Sequence, residues 1–496
     1  MRSCFPLEET RMTTQRTHNS LRALLCLAAI AITTLLATTL SACGGAGTAA
    51  TTGTNPTPMP VTTTPVQVNI GDSPADWMLA FSMNINSMTL TGSNGNATVV
   101  STSTPMEMMH LMGTMQPLAM VNAPQGTYTG ATVTIGAATV TYMDPTTKTV
   151  TQQTMQGPMT GSVTFSTPIS VGSAPMAMGF DLDLASSVTQ SSNGSLMMNP
   201  VFHVTSGAQG SGNPMDYTDG GIGEMMGSIS GVSGSSFTMT SMQAFGNFTF
   251  ATNSSTVFEG TTMGTMGSGM LVMVDATLQS DGSLLATRVQ SMIGSGGMMG
   301  GGIVTAETGQ PPTSLTLVMQ NGVGSGMMAS FLAEGVTVNL ATSTTYEMNG
   351  DNIDMSGLPF TPVFDGSHIF VGQSVMPIST GGMMSGSGGM GGGMMGGTSM
   401  AGSLTASELM LMPQGVTGTA STALTSGSAT SFTMTMSSDS AFTTLTGATS
   451  VMVFQQKGTI MEGGTTIASG ASMHAFGLLF YDGGQWKMVA LRMGAN

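Results

Sequence analysis

The chain has 496 residues, of which 7% are charged and 40% are hydrophobic, and its formal net charge is -15 at pH 7. An ordinary soluble domain has roughly 25% charged residues, so this surface must be wetted mainly by Ser, Thr, Asn and backbone groups. The hydrophobic content excludes a wholly disordered chain, because disorder combines low hydropathy with high charge. The acidic balance argues against nucleic acid as a partner, since phosphate recognition needs a basic surface.

The N-terminal segment has the order of a secretory signal. Arginines precede an apolar run from Ala23 to Thr39, and this run is shorter than the roughly 20 residues that a membrane-spanning helix needs. The motif Leu40-Ser41-Ala42-Cys43 follows and resembles the lipobox of bacterial lipoproteins. The resemblance implies that the thiol of Cys43 takes a diacylglyceryl group and that Cys43 becomes the N-terminus after cleavage.

This signal predicts the location and the cysteine chemistry of the mature protein. Cys4 and Cys26 leave with the signal peptide, so Cys43 is the cysteine that remains. A disulfide, a zinc site with Cys ligands and thiol catalysis are therefore excluded within one mature chain. We expect lipid anchoring in the bacterial cell envelope, and Gly44 after the cysteine favours the outer membrane by analogy with other lipoproteins.

Changes in composition predict the domain organisation. We expect these segments: a signal peptide (1–42), a lipidated Thr/Gly/Pro tether (43–66), a β-sandwich-like domain (67–205), a linker (206–221), and three β repeats (222–293, 294–412 and 413–496), the second with a Met/Gly-rich insertion at 381–400.

Period-two alternation of apolar residues runs through most of the mature chain. Val66–Ile70 and Ala131–Ile135 alternate, and turn residues separate such runs at short intervals. A helical period is nearly absent, and only the stretch from Pro105 to Met120 is compatible with a short helix. The prediction is an all-β protein: an N-terminal β-sandwich-like domain followed by three small β-barrel-like repeats.

The sandwich segment resembles a known domain family. The motifs that carry the resemblance are Ile85–Leu90, Val121–Thr129, Phe180–Leu184 and Met198–Val204. In this order they resemble the domain of unknown function 4382 family of bacterial lipoproteins, and the resemblance covers about residues 67 to 205.

A strand, a Gly turn and a second strand recur near the end of each repeat. The three pairs are Met270–Val274 with Gly282–Val289, His368–Gly372 with Gly402–Leu409, and Met473–Leu478 with Asp482–Met493. These units resemble the domain of unknown function 5666 family, which occurs in tandem in envelope proteins. The third copy, with Asp482, Gly483 and Trp486, carries the resemblance most clearly.

Methionine is the most distinctive chemical feature, with 52 residues in the chain. Thioether sulfur is soft and suits Cu(I), so two groups of residues are candidate metal ligands. These candidates are Met383, Met384, Met390, Met394 and Met395 in a Gly-rich tract, and His110 among neighbouring methionines. The alternative is that Met replaces Leu as deformable packing or serves as a sacrificial trap for oxidants.

Other candidate sites have weaker patterns. Asp181 and Asp183 stand two apart on a strand, as a Ca²⁺ site or an acid pair requires, but no further ligands are near and a structural role is favoured. Phe480, Tyr481 and Trp486 form either an exposed aromatic platform or the core of the last repeat, and the core is favoured. Single histidines on strands are more typical of hydrogen-bonded structural groups than of metal ligands.

The sequence thus predicts a lipid-anchored envelope protein with a non-catalytic structural or ligand-binding role. No catalytic residue and no cofactor are expected, and the expected partner is the membrane, through the N-terminal lipid. An envelope polymer or a protein partner remains open. The alternative is a periplasmic or surface protein that sequesters Cu(I) through methionine, and a third hypothesis is an enzyme that acts on envelope polymers.

Overall fold

The computed structural model describes residues 61–496, except 74, 112–113, 145–146, 148, 192–194, 211, 242–245, 293–299, 321–334, 351, 380–402, 463 and 496. Strands make up most of these residues, and the helical segments are short. The prediction of an all-β protein is therefore confirmed. None of the helices in the described part of the chain has the length and apolar character needed to cross a membrane.

The first domain is a β-sandwich. Its elements are β1 (Thr63–Ser73), β2 (Met78–Gly92), β3 (Ala97–Val100), β4 (Thr104–Glu107), a 3-10 turn (Met109–Leu111), β5 (Met115–Pro124), β6 (Gly126–Met143), β7 (Val150–Met155), β8 (Met159–Val171), β9 (Met176–Asp183), α1 (Leu184–Ser187), β10 (Val188–Gln190), β11 (Leu196–Met198) and β12 (Phe202–Ala208). One sheet has the order β12-β9-β1-β5, and the other has β3-β2-β6-β7 with β4 on β2 and β8 on β6. Alternating residues of both sheets, such as Val66 and Val68 of β1 and Ile85 of β2, fill one hydrophobic core.

In its described residues, the stretch compatible with a helix holds one 3-10 turn and no α-helix. Pro105 lies in β4 opposite Asn84, and Pro117 lies in β5 opposite Asn69. Both prolines are thus placed in strands at the ends of the stretch. The three helical residues between them, Met109–Leu111, contain His110, which lines a cavity together with residues of the domains that follow.

Three barrels follow the sandwich. The first contains β13 (Gly221–Ser233), β14 (Ser236–Ser241), β15 (Asn247–Ala251), β16 (Val257–Glu259), β17 (Leu271–Leu278) and β18 (Leu284–Ser291), after a 3-10 turn (Tyr217–Asp219). The second contains β19 (Gly302–Gly309), β20 (Pro312–Met319), β21 (Gly335–Met348), β22 (Ser374–Ile378) and β23 (Ser403–Leu411). The third contains β24 (Gln414–Ala420), β25 (Leu424–Thr425), β26 (Thr430–Met436), α2 (Ala441–Thr446), β27 (Ser450–Glu462), β28 (Thr466–Ile467), β29 (Ser472–Asp482) and β30 (Gln485–Ala495).

All three barrels have the same topology. If the five principal strands of each barrel are counted along the chain, their order is 1-2-3-5-4, and strand 1 also pairs with strand 4. Strands 3 and 5 run parallel in every case, as β15 with β18, β21 with β23, and β27 with β30. This is the strand order of the five-stranded Greek-key barrel known as the OB fold. Closing the sheet in this way leaves the principal strands without a free edge.

The predicted strand His368–Gly372 is wrong. The fourth strand of the second barrel is β22, which begins at Ser374 and contains Pro377. A proline inside a run argues against a strand, because it cannot donate a ladder hydrogen bond. The fold accepts Pro377 because β22 pairs with β19 only at Ser374 and Val375, and Pro377 faces β23 alone.

Hydrophobic clusters cross the boundaries between the domains. One cluster joins Leu409 of the second barrel to Phe476 and Leu478 of the third. A second consists of methionines and Ile378 and joins the first barrel to the second, and a third joins Leu79 of the sandwich to the second barrel. The segment predicted to be a linker, 206–221, takes part in this packing through the buried Met215, which belongs to the cluster of the second and third barrels. These shared clusters hold the sandwich and the barrels as one compact unit.

Candidate functional site

A cavity of about 120 Å³ lies where the four domains meet. Its wall includes Leu79 from the sandwich, Met273 from the first barrel, Gln320 from the second, and Met436 and Phe476 from the third. Ligand sites occur preferentially at such domain interfaces. We therefore take this cavity as the candidate functional site.

Methionine is the commonest apolar residue in the wall of the cavity. The methionines that line it are Met78, Met109, Met215, Met226, Met273, Met412 and Met436. All are buried. Three of them, Met226, Met273 and Met412, also belong to the methionine cluster between the first and second barrels, together with Met292, Met376 and Met410. The cavity therefore adjoins a body of thioether side chains contributed by different domains.

His110 is the imidazole in the cavity wall, and its orientation is fixed by Glu107. Its side chain is 9% exposed, and its Nδ1 lies 3.0 Å from Oε2 of Glu107. The Glu107 carboxylate also accepts hydrogen bonds from the backbone N–H groups of Phe81, Met109 and His110. Because every other contact of that carboxylate is a donor, we assign Nδ1 as a donor too. The buried Nε2 of His110 has no hydrogen-bond partner among the described residues.

Two carboxyl groups also line the cavity. Burial raises the pKa of Asp76 to about 6, and its Oδ1 accepts a hydrogen bond from Oγ1 of Thr417. Burial raises the pKa of Glu224 to about 7, and the nearby Asp275 adds to this effect. A raised pKa in a cavity is typical of functional sites.

Glu224 has an unusual backbone conformation. Its φ is 53°, the only positive φ of a non-glycine residue in the described part of the chain. It lies in a β-bulge, where the pairing of β13 with β17 shifts register between Ile222 and Met225. Its N–H donates to Oδ1 of Asp275 at 2.7 Å, which holds the bulge in place. Strained backbone of this kind costs free energy and clusters at functional sites.

A second cluster of polar side chains lies between the third barrel and the segment that precedes the first barrel. The guanidinium carbon of Arg492 lies 3.9 Å from the centre of the Tyr217 ring, and Nη1 donates to Oε1 of Glu462 at 2.8 Å. The other carboxylate oxygen of Glu462 lies 2.9 Å from Nε2 of His474. Burial alone would raise the pKa of Glu462, but the hydrogen bond with His474 and the charge of Arg492 hold it below its ordinary value.

Asp181 and Asp183, predicted to share a strand face, have separate roles. Asp181 accepts a hydrogen bond from Oγ of Ser73 at 2.7 Å. Asp183 caps α1 by accepting from the backbone N–H of Ser186 at 2.8 Å. Among the described residues, no group of three or more His, Cys, Asp or Glu side chains is placed to hold a metal ion. The structural interpretation of this pair fits these contacts.

Asp72, a neighbour of that pair, is a buried carboxyl group that no sequence pattern indicated. It is 3% exposed, and neither carboxyl oxygen has a hydrogen-bond partner among the described residues. Burial raises the pKa of Asp72 well above its ordinary value, and the charges of Asp181, Glu107 and Asp183 raise it further. The folded protein therefore favours the protonated, neutral form of this side chain.

Replacing Asp72 with Asn is expected to reduce the gain in stability that the protein shows on acidification. As pH rises above the unfolded-state pKa of about 3.9, the unfolded chain ionises while folded Asp72 resists, so stability falls by up to about 1.4 kcal/mol per pH unit. Asn cannot ionise, so the variant should be more stable than wild type at neutral pH. Urea unfolding at neutral pH and about pH 5 measures the effect. If the free energy of unfolding changed with pH by the same amount in the variant and in wild type, the prediction would be contradicted. The matched control is Asp439→Asn, because Asp439 is exposed.

The other sequence candidates fall into two groups. Cys43, Met383, Met384, Met390, Met394 and Met395 lie outside the described residues. The other histidines in the described part of the chain each lie beside a carboxylate: His203 with Asp183, His368 with Asp365, and His474 with Glu462. Such pairs fit the expectation of hydrogen-bonded structural groups.

The aromatic residues near the last hairpin belong to the core. Trp486 and Phe480 are buried, and Trp486 packs edge-on against Phe442 with a centroid separation of 5.2 Å. Tyr481 is partly buried and lies 5.1 Å from the same indole. The interpretation as core is confirmed over that of an exposed platform.

One protein family matches part of the chain. A family model described as a domain of unknown function (DUF5666) matches residues 226–290, which run from β13 to β18 and so cover most of the first barrel. The resemblance of the repeats to this family is thereby confirmed for the first copy. The sequence motifs indicate the resemblance most clearly in the third copy, which lies outside the matched residues. A comparison with curated proteins found no match. The resemblance of residues 67–205 to the domain of unknown function 4382 family stays a prediction.

Proposed function

We propose that this protein is a lipid-anchored component of the bacterial cell envelope, in the outer membrane, with a non-catalytic ligand-binding role. The observation that carries the binding role is the cavity to which the sandwich and all three barrels contribute. Its wall is held in place by hydrophobic clusters that cross the domain boundaries. A preformed site of this kind loses little conformational entropy on binding, which favours affinity.

The anchoring role is supported by the sequence before the first strand. The lipobox-like motif ends at Cys43, and β1 begins at Thr63. Residues 44–62 therefore separate the proposed lipid from the folded body. Gly, Thr, Ala and Pro make up most of these residues and none is charged, which is typical of a tether. Two or more acyl chains are needed for stable anchoring of a protein that has no polybasic patch.

Mass spectrometry of the mature N-terminus tests the anchoring role. We expect an N-terminal Cys43 that carries a diacylglyceryl group, and recovery of the protein in the membrane fraction. The Cys43→Ser variant should keep residues 1–42 and gain no lipid, because the thiol is the acceptor. Cleavage at another position, or a mature Cys43 without lipid, would contradict the proposal.

Cu(I) sequestration is the second candidate function. In the sequence it depended on His110 with its neighbouring methionines and on the methionines of residues 381–400, and the latter lie outside the described residues. The methionines of the cavity wall give it support that is independent of that tract.

A further inference from the structure

We propose that the cavity binds one Cu(I) ion through Nε2 of His110 and the thioether sulfurs of the methionines in its wall. This inference rests on the proposed function, because it takes the cavity as the ligand site and names its ligand. The sequence indicated two separate groups of candidate ligands, His110 with its neighbouring methionines and the Gly-rich tract at 381–400, whereas the proposed site joins His110 to methionines of other domains.

The unpartnered Nε2 of His110 is the first feature that supports a metal site in the cavity. A buried imidazole nitrogen without a hydrogen-bond partner costs free energy, because it has lost its hydration without gaining a partner. Nε2 of His110 is such a nitrogen, and it belongs to a side chain in the cavity wall. With Nδ1 donating to Glu107, the neutral ring presents the lone pair of Nε2. A carboxylate behind the other nitrogen is the usual arrangement of a metal-binding histidine, because it fixes the tautomer and the ring orientation.

The other side chains of the cavity wall favour Cu(I) over other metal ions. Thioether and imidazole groups together suit Cu(I), whereas Ca²⁺ and Mg²⁺ require oxygen ligands. The described His, Cys, Asp and Glu side chains form no group of three that is placed to hold a metal ion. The most numerous side chains available to a metal at His110 are the methionines of the wall, and their thioethers favour a soft monovalent ion.

The methionines that line the cavity come from separate domains. Met109 precedes His110 in the sandwich, Met273 lies on the first barrel, and Met436 lies on the third. Met412 lies between the second and third barrels. Residues so far apart in sequence face one cavity only because the domains pack together. If copper binds here, it should also stabilise the junction of the domains, because a ligand that binds only the folded state adds to the free energy of unfolding.

Anaerobic titration of the purified full chain with Cu(I), in competition with a chromophoric Cu(I) chelator, tests the proposal. We expect one tightly bound Cu(I) per chain and a higher melting temperature in its presence. His110→Gln should weaken binding by at least about tenfold and remove the nitrogen ligand seen by X-ray absorption at the copper edge. The triple variant Met273→Leu, Met412→Leu, Met436→Leu should weaken binding at least as much and remove sulfur ligands, while the near-equal volumes of Met and Leu preserve the packing.

The control is a triple variant with the same chemistry away from the cavity. Met83, Met88 and Met239 are buried in the cores of the sandwich and the first barrel and do not line the cavity. Changing these three to Leu should leave Cu(I) binding unchanged. Circular dichroism verifies that each variant is folded. The His110 variant and the triple methionine variant of the cavity change different ligands, so each tests the site separately.

Three outcomes would overturn the inference. They are the absence of stoichiometric Cu(I) binding by wild type, binding that persists in both cavity variants, and equal loss of binding in the control. A loss caused instead by Leu at Met383, Met384, Met394 and Met395 would place copper in the Gly-rich tract. The anchoring role is measured separately through the mass of the mature N-terminus, so its failure is distinguishable from a failure of copper binding.

Discussion

Replacing Arg492 with Ala is expected to lower the free energy of unfolding by about 3–5 kcal/mol, the usual cost of breaking a buried ion pair from one side. The Arg492 side chain is 3% exposed, and it stacks on Tyr217 and pairs with Glu462. Its removal leaves the Glu462 carboxylate without its strongest cation and opens a gap beside the Tyr217 ring. Denaturant unfolding near neutral pH measures the loss.

Two variants separate the charge from the packing. In Arg492→Met combined with Glu462→Gln, no charge is left unpaired, so most of the stability should return. Lys487→Ala, also on β30, is the matched control because Lys487 pairs with the more exposed Asp482, and it should cost about 0–1 kcal/mol. A loss for Arg492→Ala no larger than that for Lys487→Ala would contradict the prediction.

Replacing Asp275 with Ala is expected to have a similarly large effect in the first barrel, again about 3–5 kcal/mol. Asp275 is 3% exposed. Its Oδ2 accepts from Nε of Arg288 at 2.9 Å, and its Oδ1 accepts from the N–H of Glu224 in the bulge. The variant leaves Arg288 without its closest carboxylate and the bulge without its anchor. Thermal and denaturant unfolding of the full chain measure the change.

Asp275→Asn refines this prediction. The amide oxygen can still accept the Glu224 N–H, so this variant should lose less stability than Asp275→Ala. Asp281, in the turn between β17 and β18, is the control, because it is exposed and bonds only within the turn, to Ser283. Asp281→Ala should cost about 1 kcal/mol or less. Equal losses for Asp275→Ala and Asp281→Ala would show that the buried carboxylate has no special role.

Local sequence patterns were sufficient for the class of the fold and for the closing hairpins of the first and third barrels. The pairs β17 with β18 and β29 with β30 are antiparallel hairpins, as the Gly turns predicted. The parallel pairing of strands 3 and 5 could not be predicted from the sequence, because β21 and β23 are separated by a long intervening segment. The periodicity of a strand does not indicate which distant strand it pairs with. The strand β22 was missed for a different reason: Pro377 is tolerated in it because β19 begins at Gly302, opposite Val375, and has no residue paired with Pro377.

The candidate site was predictable only in part. His110 stood out because methionines surround it in sequence, and Glu107 lies three residues before it. The unpartnered Nε2 is invisible in the sequence, because it depends on which groups from other domains approach the ring. The cavity has the same limitation: Met273, Met412 and Met436 had no distinguishing mark among 52 methionines.

The hydrophobic cluster shared by the second and third barrels has a consequence for how such a protein can evolve. Phe476, Leu478 and Phe480 of the third barrel pack in one cluster with Leu409 and Leu411 of the second. Loss or duplication of a single repeat would therefore leave an apolar face in water, which invites aggregation. Other hydrophobic clusters join the second barrel to the first barrel and to the sandwich. The unit that recombination can insert or delete without this penalty is therefore the whole folded body, although the sequence repeats at the length of one barrel.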